Sequence, residues 1–242
     1  MQRRPEAPTR VTWALAVLAL LALSPAAAFS QVGHAPGSSP YHDIPKGHTV
    51  TGLAGMFGGA GGRFGIAPHD GPAFGLRYDI RTASAIQMGL VLGRANLERL
   101  IVDPFVEVEN RVSGPVDQKV SFVEIALQLN LTGGKTWHRL APFVGVGGGL
   151  AFPSGTAADT SGFELGKKIY FVPHAGVRFF LTDRLHLRTD ARVLFWKLNY
   201  PASFTRESTL DPDSPPVIDD GRVSEWSTSV WLQAGLGFSF SP

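Results

Sequence analysis

The sequence predicts an all-β fold: a single antiparallel up-and-down transmembrane β-barrel of eight strands that follows a cleaved signal peptide. Three observations support this prediction. Apolar residues alternate with small or polar residues in eight segments, which is the pattern of a strand between two environments. The connections between these segments alternate between short and long. Charged residues make up only 17% of the chain, whereas about 25% is usual in soluble domains.

The first thirty residues have the features of an export signal. Arg3, Arg4 and Arg10 give a positively charged start, and the apolar run 11–23 that follows is too short for a transmembrane helix. Small residues at 26–30 suit cleavage. The protein is therefore expected to leave the cytoplasm.

Three parts of the chain are expected: a signal peptide at 1–30, a flexible Gly- and Pro-rich lead-in at 31–45, and a β-barrel domain at 46–242. Residues 1–30 carry a net charge of +2, which equals the formal charge of the whole chain, so the remainder is neutral. This charge gives no reason to expect nucleic acid as a partner. The absence of cysteine excludes disulfides, thiolate metal sites and a lipoprotein anchor.

The clearest strand is 123–131, where Val123, Ile125, Leu127 and Leu129 share one face. Glu124, Ala126, Gln128 and Asn130 lie between them. The other predicted strands cover about 48–58, 74–80, 86–92, 140–152, 169–181, 185–198 and 226–240.

The connections predict the orientation of the barrel. Three are short, at 81–84, 132–139 and 182–184. Four are long, at 59–72, 95–118, 153–167 and 199–223. Membrane barrels have short periplasmic turns and longer outer loops, so both chain ends are expected in the periplasm and the four long loops outside.

Alternation alone also fits a soluble lipocalin-like barrel, in which the apolar face points inward. Here the second face is mostly small residues with a few charges of both signs, which suits a crowded lumen. We therefore predict a structural salt-bridge cluster inside the barrel, made of Arg77, Asp79, Glu124, Arg178, Arg188, Asp190 and Arg192. A loop at 182–184 would place Arg178 opposite Arg188, with Asp190 diagonal to Arg178.

Aromatic residues near the predicted strand ends suggest the two interfacial girdles of a membrane barrel. The candidates are Trp137, Phe152, Tyr170, Phe171, Tyr200, Trp226, Phe238 and Phe240.

Two segments, APFVGVGGGLAF at 141–152 and GVRFFLTDRL at 176–185, resemble the small outer-membrane β-barrel proteins related to the OmpA barrel and OmpX. The last strand, which ends at Phe240, resembles the signal that the barrel-assembly machinery reads in that group. The resemblance implies a location in the outer membrane of a Gram-negative bacterium. It also implies outer-membrane lipid, lipopolysaccharide and the assembly machinery as partners.

No catalytic, cofactor or metal site is predicted. The seven histidines do not occur at a spacing that presents a ligand pair. A lipid A-modifying enzyme is the main alternative, and it would need Ser, His and an acid at the outer rim. The connection 199–223 contains Ser and Asp but no His, and His186 falls near a periplasmic turn.

The leading hypothesis is a non-enzymatic outer-membrane barrel that supports envelope integrity or binds an unknown surface ligand through the long loops 95–118 and 199–223. The alternatives are the lipid A-modifying enzyme, a narrow small-solute pore and a soluble periplasmic binder.

Overall fold

The computed structural model describes residues 38–44, 47–154, 159, 161–207 and 214–241, so the predicted signal peptide lies outside the described residues. The described part of the chain is built from strands, and no helix in it has the length and apolarity needed to cross a membrane. The strands are β1 (Tyr41–Asp43), β2 (His48–Gly59), β3 (Gly71–Arg81), β4 (Ile86–Val102), β5 (Val112–Asn130), β6 (Lys135–Trp137), β7 (Leu140–Ser154), β8 (Lys168–Phe180), β9 (Leu185–Asn199) and β10 (Ser224–Phe240). Short 3-10 turns occur at Val108–Asn110 and Ala202–Thr205.

Eight of these strands form the predicted closed antiparallel barrel. The strands β2, β3, β4, β5, β7, β8, β9 and β10 each pair with the next in this series. β10 pairs back onto β2 in a continuous register from Ser229↔Gly59 to Phe240↔His48. Closure satisfies the backbone hydrogen bonds of all eight strands, which a lipid environment requires.

The connections follow the predicted short and long alternation except between β4 and β5. Those at 82–85, 131–139 and 181–184 lie at one end of the barrel, called the inner end. The other four connections lie at the opposite, outer end, and the one between β4 and β5 has nine residues, as many as 131–139.

The predicted loop 95–118 is wrong in its extent. β4 continues to Val102 and β5 begins at Val112, so most of this segment is a long hairpin. Ala95, Leu97 and Arg99 still point inward and are buried. The outward positions change from apolar to polar residues here, because this part of the hairpin extends beyond the membrane. That change in composition makes a strand look like a loop in the sequence.

The apolar face of each strand points outward, as predicted for a membrane barrel. On β5, for example, Ile125 and Leu127 are 64% and 50% exposed, whereas Glu124, Ala126 and Gln128, which alternate with them, are buried. The same arrangement occurs on β3, β4 and β10. A soluble lipocalin-like barrel would have the opposite arrangement, so that alternative is excluded.

The N-terminal segment covers part of the inner end. β1 pairs with β6 through Tyr41↔Trp137 and its two neighbours. Ile44 follows β1 and is buried against Ala141 and Phe180. The lead-in predicted at 31–45 therefore contains, in its described part, a paired strand and a buried side chain rather than a flexible linker, because the apolar Ile44 removes its surface from water at the barrel end.

Candidate functional site

The inner half of the barrel interior contains a layer of buried charges, here called the charged layer. Every member is at most 5% exposed and lies on an inward position of β3, β5, β8 or β9. The layer consists of the residues predicted for the lumen cluster: Arg77, Asp79, Glu124, Arg178, Arg188, Asp190 and Arg192.

Two ion pairs in the charged layer join residues two apart on one strand. Arg77 Nη2 lies 2.8 Å from Asp79 Oδ1, and Arg188 Nη2 lies 2.7 Å from Asp190 Oδ2. Residues i and i+2 share a face of a strand, so a long arginine side chain reaches its neighbour. Gln233 Nε2 donates to the second carboxylate oxygen of Asp190 at 2.7 Å.

A third ion pair crosses the lumen. Arg192 on β9 lies 2.5 Å from Oε2 of Glu124 on β5, with β7 and β8 between the two strands. The Tyr170 hydroxyl donates to the same carboxylate at 3.1 Å. The Arg192 guanidinium also lies 4.8 Å from the centre of the Trp231 ring. These side chains fill the lumen at this level.

The predicted register of the third hairpin is confirmed, because Arg178 is the Cα partner of Arg188. The diagonal neighbour Asp190 is bound by Arg188, however, and not by Arg178. Arg178 instead donates to Asn130 Oδ1 at 2.7 Å and lies over the Phe180 ring at 5.7 Å. The alternation in the sequence predicts that each of these charged side chains points inward. It does not predict which of them pair, because that depends on which strands are neighbours in the barrel.

Glycines on β7 make room for the charged layer. A Cβ atom at Gly145 would come within 2.5 Å of His174 Nε2, and one at Gly147 within 2.6 Å of Glu124 Oε1. The inward Gly row of this strand is therefore a packing requirement of the lumen.

The buried histidines do not form a metal site. His174 and His186 point into the lumen, and the His186 ring packs 5.0 Å from Phe180. In the described ranges, no three His, Asp or Glu side chains gather as metal ligands would. At the outer end, His69 Nδ1 lies 3.1 Å from Asp70 Oδ2, which is the one histidine–carboxylate pair among the described ion pairs.

Four predicted girdle residues lie on the outer surface of the barrel: Phe171, Trp226, Phe238 and Phe240. Phe152 is half-buried on β7. Trp137 is exposed, but it lies on β6 outside the barrel wall.

The girdle assignment of Tyr170 and Tyr200 is wrong, because both side chains are buried. Tyr170 alternates with the outward Phe171 and therefore points into the lumen. Tyr200 follows β9 and stacks on Phe204 with ring centroids 6.1 Å apart. Glu225 accepts a hydrogen bond from its hydroxyl. Burial and this bond raise the pKa of Tyr200.

The outer half of the lumen is apolar, which the sequence analysis missed. Phe57, Phe122, Trp196 and Trp231 pack there with ring centroids 5.5–6.2 Å apart. The outer connections fold onto these rings and cover the outer end of the lumen. We call the rings and the connection residues packed on them the outer core. The connections contribute the buried residues Ile66, Phe163, Leu165, Phe204 and Ile218. The sequence feature that could have predicted this packing is the alternation of apolar residues inside otherwise polar loops, as at 163 and 165.

Polar contacts connect the outer connections to one another. Arg63 Nη1 lies 2.7 Å from Asp220 Oδ2, and the Arg63 backbone amide donates to Glu225 at 2.7 Å. The hydrogen bond from Arg63 holds the pKa of Asp220 below its ordinary value of 3.8. Arg111 Nη1 donates to the Pro215 carbonyl at 2.6 Å.

A further ion pair joins the hairpin β4–β5 to the connection before β8. Arg99 Nη2 lies 2.7 Å from Asp159 Oδ2. Burial alone would raise the pKa of Asp159, but hydrogen bonds from Ser161 and Arg99 lower it.

The hairpin tip, residues 102–112, exposes apolar side chains to water. Phe105, Val108 and Val112 are 37%, 52% and 58% exposed. About 9–11 residues per strand are enough to cross a membrane, whereas β4 has 17 residues and β5 has 19. The tip therefore stands beyond the apolar band.

Basic side chains occupy outward positions at the outer edge of the apolar band. Arg94 and Lys119 lie on the neighbouring strands β4 and β5, and Lys197 lies on β9. Lys167 Nζ lies 6.0 Å from the centre of the Phe152 ring. These four cations face the level at which lipid headgroups begin.

The closed eight-stranded barrel, its apolar outer face and its filled lumen define a small outer-membrane β-barrel protein. No family model and no curated protein matches the chain.

Solved structures with the same fold include Neisserial surface protein A, at 12% identity and a TM-score of 0.50 over 84% of this chain and 98% of that one. OprG from Pseudomonas aeruginosa matches at 15% identity and a TM-score of 0.49 over 84% and 100% of the two chains. The match to Neisserial surface protein A supports the predicted resemblance of this chain to small outer-membrane β-barrels in its fold.

Proposed function

We propose that this protein is a non-enzymatic outer-membrane barrel that strengthens the envelope and binds a surface partner through its outer end. The observation that carries the proposal is the hairpin tip, an exposed apolar feature on a well-supported base. Exposed apolar groups on loops that a rigid scaffold holds are a common form of interaction site.

The packing of the outer end supports a binding role. Arg99 and Arg111 connect the β4–β5 hairpin to the connections around 159 and 215. A hairpin held at its base loses less conformational entropy on binding than a free loop. Both contact loops named from the sequence are involved: the hairpin replaces loop 95–118, and the connection 200–223 supports it.

Lipopolysaccharide is the lipid partner that the outward cations favour. Arg94, Lys119, Lys167 and Lys197 lie where phosphate groups of the outer leaflet would meet the barrel. Basic groups close to an anionic membrane surface contribute about 1 kcal/mol each. We also propose the barrel-assembly machinery as a transient partner during insertion, because the exposed aromatic Phe240 ends the closing strand β10.

A test of the surface role compares Val108→Ser/Val112→Ser with the control Leu131→Ser, which changes an exposed apolar residue at the opposite, inner end. Cells that carry each variant are assayed for adherence to polystyrene and to cultured animal cells, and for sensitivity to detergent. We expect only the tip variant to lose adherence. Equal adherence of the two variants would contradict binding through the tip. A deletion strain that is sensitive to detergent but adheres normally would support only the structural role in the envelope and contradict the binding role.

The His69–Asp70 contact is the observation that favours the alternative of a lipid A-modifying enzyme, because a general base needs an orienting carboxylate. Mass spectrometry of lipid A from strains that overproduce the wild type or His69→Ala would test it. A change in acyl chains that depends on His69 would overturn the non-enzymatic proposal. The pore alternative predicts conductance in planar bilayers, which the filled lumen disfavours.

A further inference from the structure

We infer that the charged layer binds a small inorganic anion of the size of chloride beside Arg178. This site is separate from the outer end and does not depend on the proposed surface function.

The charges of the layer do not balance. It contains four guanidinium groups and three carboxylates, and each carboxylate has its own arginine. The side chain left over is Arg178, which is 2% exposed. Among the described residues, none of the ion pairs within 4.0 Å includes it.

The neighbouring carboxylates are each hydrogen-bonded by a group other than Arg178. Both oxygens of Asp79 accept from Arg77 Nε, at 2.8 and 2.9 Å. Asp190 accepts from Arg188 with one oxygen and from Gln233 with the other.

Glu124 is occupied in the same way. Both of its oxygens lie 2.5 Å from Arg192, and Tyr170 donates to one of them. The Arg178 guanidinium is therefore paired with the neutral Asn130 alone.

Further buried nitrogen atoms lie unpaired near the same position. The Nε of Arg178, the Nδ2 of Asn130 and both ring nitrogens of His186 are buried without a hydrogen-bond partner in the described structure. The Phe180 ring contacts both cationic and imidazole groups, with Arg178 at 5.7 Å and His186 at 5.0 Å. Arg178 and His186 thus meet at one ring at the inner end, and Asn130 is bound to Arg178.

The excess charge favours an anion over water alone. Water can satisfy hydrogen-bond donors, but it does not neutralise a buried guanidinium, and an isolated buried charge is very costly. An eight-stranded barrel has an interior that side chains nearly fill, so the anion must be small. A monatomic halide meets this requirement best.

The experiment measures the unfolding temperature of the purified full-length barrel in detergent, in sodium chloride, bromide or gluconate at equal ionic strength. Binding to the folded state raises this temperature. We expect chloride and bromide to raise it by about 2–4 °C relative to gluconate.

Asn130→Asp is the decisive variant, because it places a carboxylate 2.7 Å from Arg178 with almost no change of shape. We expect it to lose the halide effect and to be at least as stable in gluconate as the wild type in chloride. Arg184→Gln, which changes an exposed arginine of an inner turn, is the control that keeps the effect. A wild type that responds equally to all three salts would overturn the site, and so would Asn130→Asp with an unchanged halide effect. Bromide-soaked crystals should show an anomalous peak beside Arg178.

Discussion

Leu127 shows what the outer face requires of a single residue. It lies between Met88 and Val146 on the neighbouring strands and is half exposed to the lipid. Leu127→Arg should destabilise the barrel by about 2–4 kcal/mol, because a charge near the bilayer midplane loses its hydration. Equilibrium unfolding in lipid vesicles measures this. Lys119→Arg, which keeps a cation outside the band, should be neutral, and a neutral Leu127→Arg would contradict the outward assignment.

The pair formed by Glu124 and Arg192 tests how the lumen carries buried charge. Removal of one partner leaves an uncompensated buried ion, so Glu124→Gln or Arg192→Met should each cost about 3–5 kcal/mol. The double variant should cost less than the two single changes together. A double-mutant cycle on the unfolding free energy measures the coupling, and additive effects would show that the pair does not interact.

At the scale of elements, the outer connections depend on ionised carboxylates. Asp159 and Asp220 have a lowered pKa in the folded protein, so their stabilising contribution is present above their ordinary value of 3.8 and is lost as the pH falls through the lowered pKa. Pepsin should therefore cleave between residues 199 and 224 more readily as the pH falls below 3.8.

Asp220→Asn provides the control for that experiment, since it cannot lose a charge on acidification. It should be cleaved to a similar extent on both sides of this pH range. Cleavage of the wild type that is independent of pH would show that the contact between Arg63 and Asp220 does not hold the connection in place.

The elements also show how far the sequence could predict this protein. Two-residue alternation gave the eight barrel strands and the face of each charged side chain, because lipid and lumen impose opposite compositions on one strand. It failed where that contrast ends, since the outer part of the β4–β5 hairpin has polar residues on its outward face. It also failed for Phe163, Leu165 and Tyr200, because their burial depends on other connections that fold onto them.

For the whole molecule, the closed hydrogen-bond network predicts resistance to detergent. The unheated protein in SDS should migrate differently from the boiled protein, and it should fractionate with the outer membrane. The reason is that no strand of the barrel has a free edge at which unfolding could start. A soluble periplasmic protein with a single mobility would contradict the outward apolar face.

The pairing of β2 with β10 also has a consequence for biogenesis. These strands stand at opposite ends of the barrel sequence, yet they exchange hydrogen bonds over twelve residue pairs. No shorter nascent chain can complete the ring, and such long-range contacts form slowly. The polypeptide must therefore cross the periplasm before the barrel has folded. Chaperones that shield its exposed strand edges would determine how much folded barrel forms. Truncation before Ser224 should lead to degradation rather than to a smaller barrel.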